Sequence, residues 1–304
     1  MKVIFIQSSV AASTQLSKIR LSLLSLIVMT GLAANTANAA LASQVLPVKY
    51  HAGQYCPSDM KAFVPKGTAH KNFVADISCM RQQLQAYQAE HQPINTRFQA
   101  YKADAWLSYV GHEDSEASLT KAGHYALNEA LSILEALKTN QVDKLPLTAD
   151  IPPTSGLQRP DLWASLLTIK QTPAFTPLVK TVADSEVKLI WAEAEFCEFG
   201  WRHSREHYSA ADRWVATAEL TALNTSGVDK QSFNALKTQY LARLKPLAGT
   251  KNSKQSCRGA VLPYIELPKV GIAEPSPQPL PLPVVVPVAS PIELNSAFKP
   301  AIVG

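Results

Sequence analysis

The amino-acid sequence predicts an all-α fold, either a helical bundle or a stack of helical hairpins, followed by a disordered Pro-rich tail. Apolar residues recur at three- and four-residue spacing through residues 70–245, and no strand-like alternation competes there. Of the 21 Pro in 304 residues, ten lie between Pro263 and Pro300. Hydrophobic residues make up 46% of the chain, enough to bury a sizeable core when helices pack along their apolar stripes.

The N-terminus has the composition of a secretory signal peptide, residues 1–39. It contains three basic and no acidic residues, then an apolar run over 21–32 and the small residues of Ala37-Asn38-Ala39. A membrane anchor is the alternative, but the run is shorter than the roughly 20 residues that a spanning helix needs. We therefore expect a periplasmic protein, with or without association to the outer membrane, and no transmembrane segment after cleavage.

The charge of the exported part argues against two classes of partner. Cleavage would remove three of 29 basic residues and none of 24 acidic ones, leaving a net charge near +2. Nucleic acids and anionic lipid surfaces are recognised through much stronger positive fields. We therefore predict no nucleic-acid partner.

All four cysteines lie in the exported part, at Cys56, Cys79, Cys197 and Cys257. An even number in an oxidising compartment predicts two disulfides, for which three connectivities exist. Cys56–Cys79 and Cys197–Cys257 close the shorter loops and are favoured. Free buried thiols remain an alternative, and a zinc site is disfavoured because no C-x-x-C spacing occurs.

Residues 40–69 are rich in Pro and Gly and are predicted to be irregular, and residues 70–262 form the predicted helical domain. A break at Gly111–Ser115 separates the second predicted helix from the third, and a Pro-containing loop over 141–160 follows the third. The pattern predicts these three helices at 71–90, 94–109 and 118–139.

The second half of the domain is predicted to begin with a short helix over 161–170. The longest helical pattern runs over 182–207, where Gly200 is expected to bend or split it. Two further helices are predicted at 209–223 and 230–244. The tail, 263–304, favours extended polyproline II and would act as a spacer or a docking strip.

A dense polar cluster ends the longest helix. His203-Ser-Arg-Glu206-His207 matches the H-x-x-E-H pattern of inverted zinc peptidases, in which two His at i and i+4 share a helix face. No third ligand stands out, and Arg202 has Glu198 and Glu206 at i−4 and i+4 to form surface ion pairs. We therefore predict no metal and no cofactor, and keep His203 and His207 as the alternative metal pair.

All five Trp lie in predicted helices. They could line a groove for a small ligand or a wall fragment, or they could anchor the core, which is the favoured interpretation. No nucleophile motif or phosphate-binding loop is present, so no catalytic residue is predicted. The candidate binding residues are Trp106, Trp163, Trp201, Arg202 and His203.

Four short stretches between about residues 98 and 215 carry a family resemblance. They are Lys102-Ala-Asp-Ala-Trp106-Leu107, Arg159-Pro-Asp-Leu-Trp163, Glu186-Val187 with Trp191-Ala192, and Gly200-Trp-Arg-His203 with His207. In order and approximate spacing, this region resembles the helical N-terminal region of proteobacterial OmpA-family envelope proteins. The resemblance implies an exported protein associated with the outer membrane or cell wall, and it implies no enzymatic activity.

Those proteins end in an OmpA-like peptidoglycan-binding domain, for which we find no counterpart up to Gly304. Peptidoglycan binding is therefore not carried over. The sequence predicts a non-enzymatic periplasmic or outer-membrane-associated helical scaffold or binding module, with an envelope protein or a peptidoglycan-associated molecule as partner. The alternatives are ligand binding in a Trp-lined groove and a zinc-dependent hydrolase that uses the H-x-x-E-H residues.

Overall fold

A computed structural model describes residues 49–68, 70–115, 120–148, 150–248 and 256–265. These residues contain seven α-helices, two 3-10 turns and an isolated antiparallel bridge between Ile151 and Ala260, so the all-α prediction is confirmed. The helices are α1 (Lys71–Gln88), α2 (Ile94–Ser115), α3 (Lys121–Lys138), α4 (Pro160–Lys170), α5 (Phe175–Phe199), α6 (Trp201–Asn224) and α7 (Lys230–Leu244).

α2 is the central helix of the first half and packs against α1, α3 and α5. The predicted break at Gly111–Ser115 is wrong, because α2 continues to Ser115. A glycine inside a helix costs only about 1 kcal/mol relative to alanine. Val110 and Glu113 on either side are buried, so packing of this last turn outweighs the cost of Gly111.

The long helical pattern of the second half is split at Gly200, which has φ +85° and ψ −173°. This conformation is accessible essentially only to glycine. α5 begins at Phe175 and includes Pro177, whose missing N–H is tolerated in the first turn of a helix. α6 runs on through the region predicted as a separate helix, and it packs back along α5.

Two disulfides join the flanking segments to the helices, and both predicted pairings are confirmed. Cys56–Cys79 links the irregular N-terminal segment to α1, and Cys197–Cys257 links residues 256–265 to α5. The N-terminal segment is also held by Asp76, which accepts hydrogen bonds from the Tyr50 hydroxyl at 2.7 Å. The described residues on both sides of the helices are therefore tied covalently to the helical domain.

Three charged side chains lie in the centre of the core. Glu186 accepts a hydrogen bond from Lys102 Nζ at 3.1 Å and a second one from Lys170, which also donates to the Leu147 carbonyl. Burial raises the pKa of Glu186, but the two ammonium groups outweigh it and hold the pKa below its usual range. Burial lowers the pKa of Lys170 to about 8.

Two predictions fall largely outside the described residues. The signal peptide, 1–39, lies outside them, as does the Pro-rich tail from residue 266 onward. Among the helices of the described ranges, none combines the length and the apolar character needed to cross a membrane.

Candidate functional site

A cluster of aromatic and ionisable side chains lies where α2, α5 and α6 meet. α2 contributes His112, α5 contributes Trp191 and Glu195, and α6 contributes His207. Trp191 and Glu195 are four residues apart and therefore share one face of α5. Gly200 reverses the chain so that α6 brings His207 back against that face.

Trp191 is the centre of this cluster. Its ring stacks on Tyr109 at a centroid distance of 4.6 Å and on His207 at 4.4 Å, and His112 lies 4.8 Å away. The indole N–H donates to Glu195 Oε1 at 3.1 Å. These contacts from three helices hold the indole ring in place, and the indole N–H orients one oxygen of Glu195.

Lys188 places a cation beside the two rings. Its Nζ lies 3.7 Å from the centroid of a Trp191 ring and 3.4 Å from His207 Nδ1. Burial lowers the pKa of His207 to about 4, with further lowering by Lys188 and His112. Burial also lowers the pKa of Lys188 to about 8. At neutral pH the His207 ring is therefore uncharged and retains a nitrogen lone pair.

One ligand atom each from His112, Glu195 and His207 lies within 4.8 Å of the other two. Glu195 is 4% exposed and His207 is 7% exposed, whereas His112 is half-buried. Two imidazoles and one carboxylate are a ligand set that proteins use for zinc. These three residues are the ones in the described chain that could hold a metal ion.

The structure does not bring the five predicted binding residues into one groove. Trp106 and Trp163 are core residues with 0% and 2% exposure. Trp201 is 58% exposed, and Arg202 and His203 beside it are exposed as well. Trp201 stacks on Tyr208 at 5.7 Å. Trp106 and Trp163 therefore anchor the core, whereas Trp201, Arg202 and His203 lie at the surface.

The alternative metal pair is also separated. His207 is buried against Trp191, whereas His203 is exposed, with its ring 5.1 Å from that of Phe199. The group of potential ligands includes His207 but not His203. Sequence reasoning missed His112, which fell in the predicted break, and Glu195, which was one of several acidic residues on α5. For Glu195 a signal was available in the sequence, because it lies four residues after Trp191 on the same helix. No such signal was available for His112.

A second polar cluster holds the C-terminal segment against α5 and α6. Glu193 accepts hydrogen bonds from the Tyr208 hydroxyl and, at 3.3 Å, from Ser256 Oγ. Gln158 donates to the same Ser256 oxygen at 3.2 Å. Burial raises the pKa of Glu193 to about 7, although the hydrogen bonds from Ser256 and Gln158 oppose this shift. Gly156 permits the close approach, since a Cβ there would lie 2.2 Å from the Ser256 carbonyl oxygen.

Comparison with known proteins gives no relative. No protein-family model, no curated protein and no solved structure matches the chain. The resemblance to the helical region of OmpA-family envelope proteins therefore stays a prediction.

Proposed function

We propose that this chain is an exported, non-enzymatic helical module of the bacterial cell envelope that acts as a scaffold or binding module. The observation that carries the proposal is the pairing of all four cysteines into two disulfides. Disulfides persist in oxidising compartments and are rare in the cytosol. The N-terminal composition, typical of a signal peptide, supports the same compartment.

Several residues that carry the family resemblance serve packing or internal pairing, whereas Trp201, Arg202 and His203 are exposed. Trp106 and Trp163 are buried, and Lys102 is part of the buried ion group with Glu186. Arg159 forms paired hydrogen bonds with Asp161 and Asp212, of 2.7 to 3.0 Å. Those that belong to the resemblance are spread over α2, α4, α5 and the loop before α4.

The turn between α5 and α6 offers a surface for a partner. Phe199 and Trp201 flank Gly200 and are 50% and 58% exposed. Exposed aromatic side chains on a rigid turn contribute strongly to protein–protein contacts because they bury a large area at low entropic cost. The Cys197–Cys257 disulfide fixes this turn three residues from Gly200.

Cell fractionation combined with thiol labelling tests the compartment. We expect the chain in the periplasmic or outer-membrane fraction, with its cysteines modified by an alkylating reagent only after reduction. Cytoplasmic recovery with four reactive thiols would overturn the proposal.

Site-specific photo-crosslinking in intact cells tests the partner surface. A photoreactive amino acid at Trp201 should give a discrete adduct with an envelope protein or a peptidoglycan-associated molecule. The same substitution at Leu220, which is 63% exposed on α6, is the matched control and should give none. Equal adducts at both positions would argue against a surface centred on the turn.

A further inference from the structure

We infer that His112, Glu195 and His207 form a binding site for a divalent transition-metal ion of the zinc class, which joins α2, α5 and α6. The proposal goes beyond the envelope function and does not depend on it. It starts from the convergence of three ligand-type side chains from three helices, with all three ligand atoms within 4.8 Å of one another.

The ligand types select the metal class. Ca²⁺ and Mg²⁺ prefer sites built from oxygen atoms alone. Two imidazole nitrogens and one carboxylate oxygen suit Zn²⁺ and its divalent transition-metal neighbours. Thiolates, which would favour softer ions, do not contribute because the four cysteines are in disulfides.

The required movement is small. Around a tetrahedral Zn²⁺ with metal–ligand distances of about 2.0–2.1 Å, two ligand atoms are about 3.3 Å apart. The present separations, up to 4.8 Å, therefore need to close by about 1.5 Å or less. Side-chain rotation alone covers such a distance, so the helix positions need not change.

The surrounding contacts orient the ligands as outer-shell groups do in metal sites. The Trp191 N–H donates to Glu195 Oε1 at 3.1 Å, and a carboxylate has two oxygens, so it can accept this bond and also bind a metal ion. Stacking on Trp191 at 4.4 Å fixes the plane of the His207 ring. A site held by three protein ligands leaves a coordination position for water or an added ligand.

Two further charged groups face His207. The Lys188 ammonium lies 3.4 Å from Nδ1, and the exposed Glu206 carboxylate lies 3.7 Å from Nε2. Lys188 repels a dication, so metal binding displaces its side chain from the ring. Removing that ammonium therefore strengthens metal binding, in contrast to removing any ligand.

This site differs from the one that the H-x-x-E-H pattern predicts. That pattern pairs His203 with His207 on one helix, whereas the structure pairs His207 with residues of two other helices. His203 is exposed and contacts Phe199. It therefore provides a matched control, a histidine on the same helix whose loss leaves the proposed site intact.

The test is a Zn²⁺ titration of the purified full-length oxidised chain by calorimetry and by competition with a chromophoric chelator. Wild type should bind one Zn²⁺ with a Kd below about 10 μM. His112→Gln and Glu195→Gln should each weaken binding by at least the 10–100-fold that loss of an outer-shell partner causes. His203→Gln should bind as wild type does, and Lys188→Met should bind more tightly.

Circular dichroism of each variant separates loss of the site from loss of the fold. If a ligand variant does not fold, histidine ring NMR signals of wild type and of His203→Gln, recorded with and without Zn²⁺, give the answer. The same two signals should shift in both proteins. The site is refuted if the wild-type protein binds no Zn²⁺, or if folded His112→Gln binds Zn²⁺ as tightly as wild type. It is also refuted if His203→Gln or Lys188→Met binds Zn²⁺ more weakly than wild type.

Discussion

The buried carboxyl group of Glu193 should make the folded protein less stable as the pH rises. A single substitution at this position can test this effect. The carboxyl group is buried among Tyr208, Ser256 and Gly156, and burial raises its pKa from 4.5 to about 7. Between these two values the folded chain keeps the proton and the unfolded chain releases it. Stability from this group is therefore fully present below pH 4.5 and is lost as the pH rises through 7.

The magnitude follows from the shift. At 1.36 kcal/mol per pKa unit, the change from 4.5 to about 7 corresponds to roughly 3 kcal/mol of unfolding free energy. Glu193→Gln replaces the group with one that does not titrate. Ser256 and Tyr208 carry hydroxyl groups, which can both donate and accept, so they can reorient to bond the amide. We expect the variant to exceed wild-type stability by about 1 kcal/mol at pH 5 and by about 3 kcal/mol at pH 8.

The assay is denaturant unfolding at pH 5, 6, 7 and 8, with the difference between variant and wild type plotted against pH. Taking the difference cancels the other titrating groups. Glu90→Gln is the control for loss of a carboxyl group at the surface, because Glu90 is exposed just beyond α1. A flat plot for Glu193→Gln, or one that falls with pH, would refute the reasoning.

Three other substitutions test the fold. Removing the Cys197–Cys257 disulfide by Cys257→Ser should cost about 4 kcal/mol, since it closes a loop of 60 residues; denaturant unfolding would contradict this if the loss were below 1 kcal/mol. Gly200→Ala should cost about 1–3 kcal/mol from backbone strain alone, because no atom lies within 4 Å of the added Cβ, and an unchanged Tm would argue against the positive φ. Glu186→Gln removes the carboxylate that both buried ammonium groups contact and should cost about 3–5 kcal/mol, whereas a loss under 1 kcal/mol would show that the pairing is weak.

Apolar periodicity predicted the helices well where the pattern was uninterrupted. The predicted range 230–244 is the observed span of α7. The sequence did not show whether a glycine would interrupt a helix, because that outcome depends on tertiary packing. Gly111 is accommodated in α2 by buried neighbours, whereas Gly200 adopts a positive φ that ends α5. The sequence therefore predicted a break at Gly111, which is wrong, and a bend or split at Gly200, where the structure shows a split.

Only part of the candidate site could be predicted from the sequence. The pattern singled out His207, and helical spacing places Glu195 on the same face as Trp191. His112 could not be found in this way, because its approach to His207 depends on how α2 and α6 each pack on α5. Whether His203 or His207 turns inward depends on the same packing, and the i, i+4 spacing gives no preference between them.

The Cys197–Cys257 bond also decides how the domain responds to mechanical tension. A pull applied beyond Ile265 first meets the Ile151–Ala260 backbone bridge and then the covalent link to α5. Force therefore passes from residue 257 directly to residue 197, and the intervening α6 and α7 are not stretched. A chain tethered through its C-terminal side would keep those two helices, and His207 with them, folded under load.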